Sequence, residues 1–132
     1  MNPATDRQDG PPPEGRAALR ARLIALREAL PSARHAAASA TISAQLDGLL
    51  GRVSPWVVGF CWPYRGEFDC RAVVSAWLAS DARRAAALPV IVTPAAPMAF
   101  RRWTPQCKLV AGRFGILAVS YTHLTLPTTI LV

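Results

Sequence analysis

The sequence predicts an α/β domain, with a layered, open and mostly parallel sheet carrying helices on both faces. Three observations lead there. Segments of helical period and strand-like runs follow one another in the order helix, helix, strand, helix, strand, strand. The two best strand candidates are continuous apolar runs, as expected of strands covered on both sides. With 132 residues, 52% hydrophobic and 17% charged, the chain can build one core and is too short for two domains.

The elements can be justified in chain order. The opening MNPATDRQDGPPPEG has three consecutive prolines and no apolar h-region. It reads as a flexible leader over 1–15 and not as a signal peptide. From Arg16 to Leu30, the residues Leu19, Leu23, Leu26 and Leu30 recur at helical spacing, and Pro31 stops the helix. At about 100° per residue, Arg16, Arg20 and Arg27 form a stripe bordering the leucine face. That stripe is either a solvated flank or a binding edge. Ser32 is placed to cap a second helix running to about Leu50, with Ile42, Leu46, Leu49 and Leu50 inward and Gly51 as C-cap.

WVVGFCW, residues 56–62, is β-branched and aromatic and predicts a central strand. The turn PYRGEFD follows, and Asp69 is placed to cap a helix that turns Val73, Val74, Trp77 and Leu78 inward. AALPVIV, Ala86 to Val92, predicts the second strand. A TPAAP loop leads to MAFRRW, Met98 to Trp103, a third and more exposed strand. No internal repeat is present.

Charge and cysteine content narrow the function classes. The net charge of +7 favours an anionic ligand, and fourteen of the fifteen cations are Arg, with Lys108 the exception. Arg suits bidentate phosphate or carboxylate binding, although GC-rich coding also enriches Arg and Ala. No window holds eighteen uninterrupted apolar residues, so a spanning helix is not expected. Cys61, Cys70 and Cys107 are odd in number and form no CxxC pair, and His35 and His123 are the only histidines. Neither a structural zinc site nor a disulfide framework follows. Reduced, mostly buried thiols in a cytoplasmic protein are expected. No Ser-His-Asp set, catalytic Cys-His pair or metal-binding carboxylate pair can be assembled, so no catalytic or metal-ligating residue is assigned.

Ligands of open α/β sheets bind beyond the carboxyl ends of the strands. The turn after WVVGFCW sits there. Trp62 and Tyr64 offer flat faces to a heteroaromatic ring, Gly66 permits close backbone approach, and Glu67 can accept hydrogen bonds from ring nitrogens. The competing reading makes Trp62 core and Arg65–Glu67 an exposed ion pair. In MAFRRWTP, Arg101 and Arg102 point to opposite strand faces. GRFGIL, residues 112–117, reads as a tight turn and matches no phosphate-binding glycine motif.

Taken in order, RAALR at 16–20, GFCWPYRGEFD at 59–69, AALPVIV at 86–92, PMAFRRWTP at 97–105 and GRFGIL at 112–117 resemble the 5-formyltetrahydrofolate cyclo-ligase (5,10-methenyltetrahydrofolate synthetase) family. The resemblance covers nearly all of 16–117, and the turn at 62–69 is its most specific part. It implies a fold of the NagB/RpiA/CoA-transferase type. It also implies ATP and Mg²⁺ as cofactors, and cyclisation of 5-formyltetrahydrofolate to 5,10-methenyltetrahydrofolate with release of ADP and phosphate. The family's basic pair on the first helix corresponds to Arg16 and Arg20, which would contact ATP phosphates. Its folate-contacting turn maps onto Trp62 and Glu67. A small-molecule substrate, no nucleic-acid or membrane partner and a monomeric state are expected.

One departure matters. The family continues into a further strand and a glycine-rich RLGxGxGxYD-type segment that contributes to the ATP cradle and the magnesium site, and nothing of the kind follows Leu117. The last fourteen residues, VSYTHLTLPTTILV, hold four of the eight Thr and no charge, Gly or Ala. They resemble a translated transposon-type sequencing adapter. The expectation is therefore a cyclo-ligase part over 16–118, a non-native tail over 119–132, and an inactive fragment of an active enzyme. The alternative for the tail is a genuine β-prone strand. Two other classes compete for the whole chain: a basic nucleic-acid-binding module, and a noncatalytic α/β interaction domain.

Overall fold

The computed structural model describes residues 13–112, 117–120 and 129–131. Its elements are α1 (Arg16–Glu28), α2 (Ser32–Val53), β1 (Val57–Gly59), α3 (Arg71–Ala79), β2 (Ala85–Val90), β3 (Ala99–Trp103), β4 (Leu109–Ala111), β5 (Leu117–Val119) and β6 (Thr129–Leu131). The fold is mixed α/β, and the predicted order holds through β3. One sheet runs β3-β2-β1-β6, and a second pairs β4 with β5. β1 is parallel to both neighbours, whereas β3 returns antiparallel on β2.

The sheet forms where the sequence concentrates β-branched and small apolar residues. Val57, Val58 and Phe60 are buried from β1, and Ala85 to Leu88 from β2. A strand buried on both faces cannot alternate polar and apolar residues, so VVGF and AAAL read as unbroken runs. The β1–β2 ladder ends where Phe60 N–H donates to Ala87 O at 3.0 Å. Beyond it β2 pairs only with β3, which is why Pro89, lacking an N–H, is tolerated. Helices α2 and α3 pack on this sheet: Val74 and Trp77 from α3 and Leu46 and Leu50 from α2 join Phe60, Leu88 and Trp103 in the core. Phe60 meets Trp103 edge-on, with ring centroids 5.0 Å apart.

Several expectations are corrected. The leucine face of α1 is not buried: Leu23 and Leu26 are 52% and 56% exposed, and the helix buries no residue. Ile42 and Leu49 of α2 are likewise exposed, leaving Leu46 and Leu50 as its buried pair. Ser32 lies inside α2, whose N-cap is Pro31. Gly51 does not end that helix. It continues to Val53, and Ser54 takes the left-handed cap conformation (φ 50°, ψ 53°), its N–H donating to Leu50 O at 2.9 Å. Cys70 is the N-cap of α3, and Asp69 acts one residue earlier by accepting from Arg71 N–H at 3.0 Å. Of the three free thiols only Cys70 is buried, while Cys107 is half-buried and Cys61 exposed. Trp56 is exposed under the Arg83 guanidinium, 4.7 Å from the ring centroid, instead of joining the core.

The tail contributes to these sheets. Val119 is buried in β5, and Arg101 Nη1 donates to its carbonyl at 2.8 Å. Residues 129–131 pair with β1 in parallel register. The leader over 1–12, residues 113–116 of GRFGIL, residues 121–128 with His123, and Val132 lie outside the described residues.

Burial decides which leucines matter. Leu50→Ala should lower unfolding free energy by about 2–5 kcal/mol through lost transfer and a residual cavity. Leu26→Ala should change it by less than about 0.5 kcal/mol. Urea unfolding of the two variants checks this, and equal losses would contradict the burial pattern.

Candidate functional site

The sheet order fixes where a ligand can sit. From β1 the sheet extends to β2 on one side and β6 on the other, both parallel to it. The connection from β1 to β2 runs through α3, and in such sheets the ligand crevice lies beyond the carboxyl end of the strand. The segment Trp62–Asp69 enters that crevice. Its tip is a tight turn in which Glu67 N–H donates to Tyr64 O at 3.2 Å, with Arg65 and Gly66 both left-handed (φ 50° and 75°). Gly66 is favoured by its positive φ, and an added Cβ would sit in ordinary contact, 3.4 Å from the carbonyl oxygen of Arg27.

Two helices meet this turn. Arg27 Nε donates to Arg65 O at 2.9 Å, and its Nη2 lies 3.6 Å from Glu67 Oε1. The Arg65 guanidinium pairs with Glu28. His35 Nε2 donates to Gly66 O at 3.0 Å, which fixes a proton on that nitrogen. Glu67 Oε2 accepts from Tyr64 N–H at 3.1 Å. The Arg65–Glu67 pair of the competing reading does not form; the pairs are Arg65–Glu28 and Arg27–Glu67. In a left-handed tip the two side chains diverge, and the docked end of α1 supplies both partners.

A cavity of about 500 Å³ opens between α1, the turn and the ends of β2 and β5. Arg20, Trp62, Tyr64 and Glu67 give it polar and aromatic groups, while Leu88, Val90, Ile91, Met98 and Leu117 give it an apolar floor. A shallower groove of about 450 Å³ adjoins it, lined by Arg16, Arg20 and Arg27, with Leu19, Leu23 and Glu67. Three of the four sequence-assigned site residues, Arg20, Trp62 and Glu67, thus line one cavity. Arg16 lines only the groove, and Arg20 and Glu67 border both. The volume and the mix of flat rings, one cation and one carboxylate suit a small heteroaromatic ligand with an anionic part.

Trp62 is half-buried, with the Arg71 guanidinium 4.3 Å from its ring centroid. Arg71 is held in turn by Asp69, whose Oδ1 accepts from Nε at 2.8 Å. That hydrogen bond holds the Asp69 carboxyl below its ordinary value of 3.8, against the opposing effect of burial. The equivalent bond from Arg83 brings Asp81 down to about 2. Burial pushes the Cys70 thiol up to about 11, so it is no nucleophile at neutral pH.

No group of three His, Cys, Asp or Glu side chains capable of holding a metal exists among the described residues. Asp69 and Asp81 are neutralised by arginines, and Glu67 is engaged by Arg27 and the Tyr64 amide. These residues do not fit a protein-held magnesium ion. No helix among them is long and apolar enough to cross a membrane.

Sequence reasoning missed the apolar floor and the roles of Arg27 and His35. Arg27 stood in the basic stripe with Arg16 and Arg20, and that stripe was the available signal. His35 gave none.

Comparison with known proteins bears on the fold. No family model and no curated protein sequence matches the chain. Among solved structures, the NMR structure of Aquifex aeolicus 5,10-methenyltetrahydrofolate synthetase is similar, with a TM-score of 0.63 at 22% identity. The match covers 80% of this chain and 52% of that one, so the chain spans about half the length of its structural neighbour. At that identity the likeness shows a shared fold. It agrees with the resemblance read from the five ordered segments.

The depressed carboxyls set an acid limit on stability. A carboxyl whose folded value lies below its unfolded one contributes fully above the unfolded value, and the contribution is lost as pH falls through the folded value. Thermal midpoints should therefore decline as pH drops from about 5 towards about 2. The Asp69→Asn, Asp81→Asn double variant should show a flatter decline. An unchanged slope would mean that these pairs do not govern acid unfolding.

Proposed function

We propose that the site belongs to a folate cyclo-ligase: it takes 5-formyltetrahydrofolate and ATP, and cyclises the folate to 5,10-methenyltetrahydrofolate with release of ADP and phosphate. The observation that carries this reading is that Arg20, Trp62 and Glu67 line one cavity, with the Arg16–Arg20 groove opening beside it. The shared fold with a methenyltetrahydrofolate synthetase supports it.

In this reading the pterin lies against Trp62 and Tyr64 over the apolar floor, and Glu67 accepts hydrogen bonds from its ring nitrogens. Arg16 and Arg20, one helical turn apart, take the phosphates of ATP. The formyl oxygen attacks the terminal phosphorus and ADP leaves. N-10 then attacks the activated carbon, and phosphate departs with that oxygen and takes up the N-10 proton as the methenyl bridge closes. Such a reaction asks for positioning and for neutralisation of spreading negative charge, and the arginines supply both. Mg²⁺ belongs to this reading as the companion of ATP, held by its phosphates. A single domain over 16–118, a layered sheet covered on both faces, a monomeric state and a cytoplasmic setting complete the proposal, with no nucleic-acid or membrane partner.

Titration calorimetry of the purified chain tests the assignment. Arg16→Ala should weaken ATP binding by about tenfold or more, the cost of one charge-assisted contact, and leave folate affinity unchanged. Glu67→Gln should do the reverse. Equal loss of both ligands, or of neither, would remove the two residues from their roles. The chain itself is proposed to be inactive, so an ATP-dependent rise in methenyl-folate absorbance would refute that part.

The tail over 119–132 is proposed to be non-native, whatever pairing it finds. A genomic read of the locus should diverge from this sequence after Ala118, and an uninterrupted read encoding VSYTHLTLPTTILV would end the idea.

A further inference from the structure

The turn that carries Glu67 is intrinsically unfavourable. Two successive residues are left-handed, and one of them, Arg65, has a Cβ (φ 50°). Such a conformation persists only where its surroundings determine it. Within the turn, the backbone bond from Glu67 N–H to Tyr64 O (3.2 Å) and the bond from Tyr64 N–H to Glu67 Oε2 (3.1 Å) close the loop on itself. The first of these holds the Gly66–Glu67 peptide by its N–H side, and neither reaches the Arg65–Gly66 peptide or the Gly66 carbonyl. Those two are met from outside. The carbonyl of Arg65 accepts from Arg27, and the carbonyl of Gly66 accepts from His35, at 2.9 and 3.0 Å.

The two donors come from different helices across a sharp corner at Ala29–Pro31, so together they fix the turn in more than one direction. Arg27 has a second task. Its other arm reaches Glu67 Oε1 at 3.6 Å, leaving Oε2 to the Tyr64 amide. One guanidinium thus spans a backbone carbonyl and a carboxylate two residues further on. Only a planar fork reaches both at once, and a lysine ammonium meets one of them.

From this geometry we infer that Arg27 and His35 are positioning residues: they hold the Arg65–Gly66 peptide planes in the left-handed tip and thereby aim the Glu67 carboxylate along the cavity wall. This rests on the reading that Glu67 serves the folate side of the site. The clamp itself is a statement about the turn, and it can fail or hold independently. It also makes the seating of α1 and the shape of the turn one event, since α1 carries Arg16 and Arg20 and its last turn carries Arg27. The nucleotide side and the folate side are joined through a single side chain.

Amide hydrogen exchange on the isotopically labelled full chain tests the clamp without any ligand. The Glu67 amide should be protected in the unaltered protein. It should exchange about tenfold faster in Arg27→Ala and in His35→Ala, the loss expected for one hydrogen bond to a carbonyl. His35→Gln, which keeps a donor, should restore most of the protection, whereas Arg27→Lys should not. The Phe60 amide, bonded to Ala87 in the sheet, should stay unchanged throughout and so report that the fold is intact. An unprotected Glu67 amide in the unaltered chain, unchanged exchange in both alanine variants, equal acceleration at Phe60, or failure of His35→Gln to rescue would each overturn the inference.

Titration of the same proteins with 5-formyltetrahydrofolate separates the two claims. If the unaltered chain does not bind it, the folate reading fails while the exchange data still decide the clamp. If it binds, Arg27→Ala should weaken affinity by about tenfold, to the level of Glu67→Gln. Undiminished affinity with accelerated exchange would show that the clamp does not aim Glu67.

Discussion

The parallel pairing of β1 with β2 is the constraint on which the site depends. A parallel pair cannot close through a short hairpin, so the chain must leave the end of β1 and travel over the sheet before returning as β2. Here that journey is the segment from Phe60 to Arg84, and its outward leg is the turn bearing Trp62, Tyr64 and Glu67. Because Val58 and Phe60 are buried almost completely, the point at which the turn departs is fixed by the core. The β1–β2 ladder ends at Ala87, and the residues after it, Leu88 to Val90, are left to form the apolar floor. Core packing and cavity shape are consequences of the same short register.

The wall opposite the floor has another origin. α1 buries no residue, and its attachment is polar and concentrated at its last turn, where Arg27 and Glu28 meet Arg65 and Glu67. Exposed ion pairs hold little individually. Their strength here lies in arrangement, because they converge on backbone groups that a strained turn leaves outward. The cavity is therefore bounded on one side by a packed sheet and on the other by a helix seated through hydrogen bonds.

What the sequence revealed, and what it concealed, follows from this division. The runs VVGF and AAAL were legible because burial on both faces leaves a compositional mark. The inward residues Val74 and Trp77 were legible because a short helix over a sheet shows one face. Periodicity located the leucine side of α1 correctly as apolar, yet it carries no information on what covers such a side, and Leu23 and Leu26 prove exposed. Gly51 was a reasonable helix end by residue type, but α2 gains most of another turn, and Ser54 accepts the left-handed position at some conformational cost. The strands β4 and β5 span three residues each, too few to show a period. At the site, Trp62 and Glu67 could be chosen from the turn after the first strand, and Arg20 from the family resemblance. The partners of Glu67 could not, since Arg27 lies forty positions away and meets it only through tertiary docking. His35, a lone histidine on a helix, had nothing to mark it.

The first helix also sets up an electrical gradient. Its N-terminal end has no acidic residue in the first turn and no side-chain cap, so the partial positive charge of the aligned peptides adds to Arg16 and Arg20. Its C-terminal end, where the peptides leave partial negative charge and Glu28 adds more, is offset by Arg27 and Arg65. The helix is thus neutralised at one pole, while at the other Arg22 takes up Glu14 at 3.0 Å and the charges of Arg16 and Arg20 remain. An approaching anion is drawn along the helix axis towards its free end, while the saturated end stays bound to the turn.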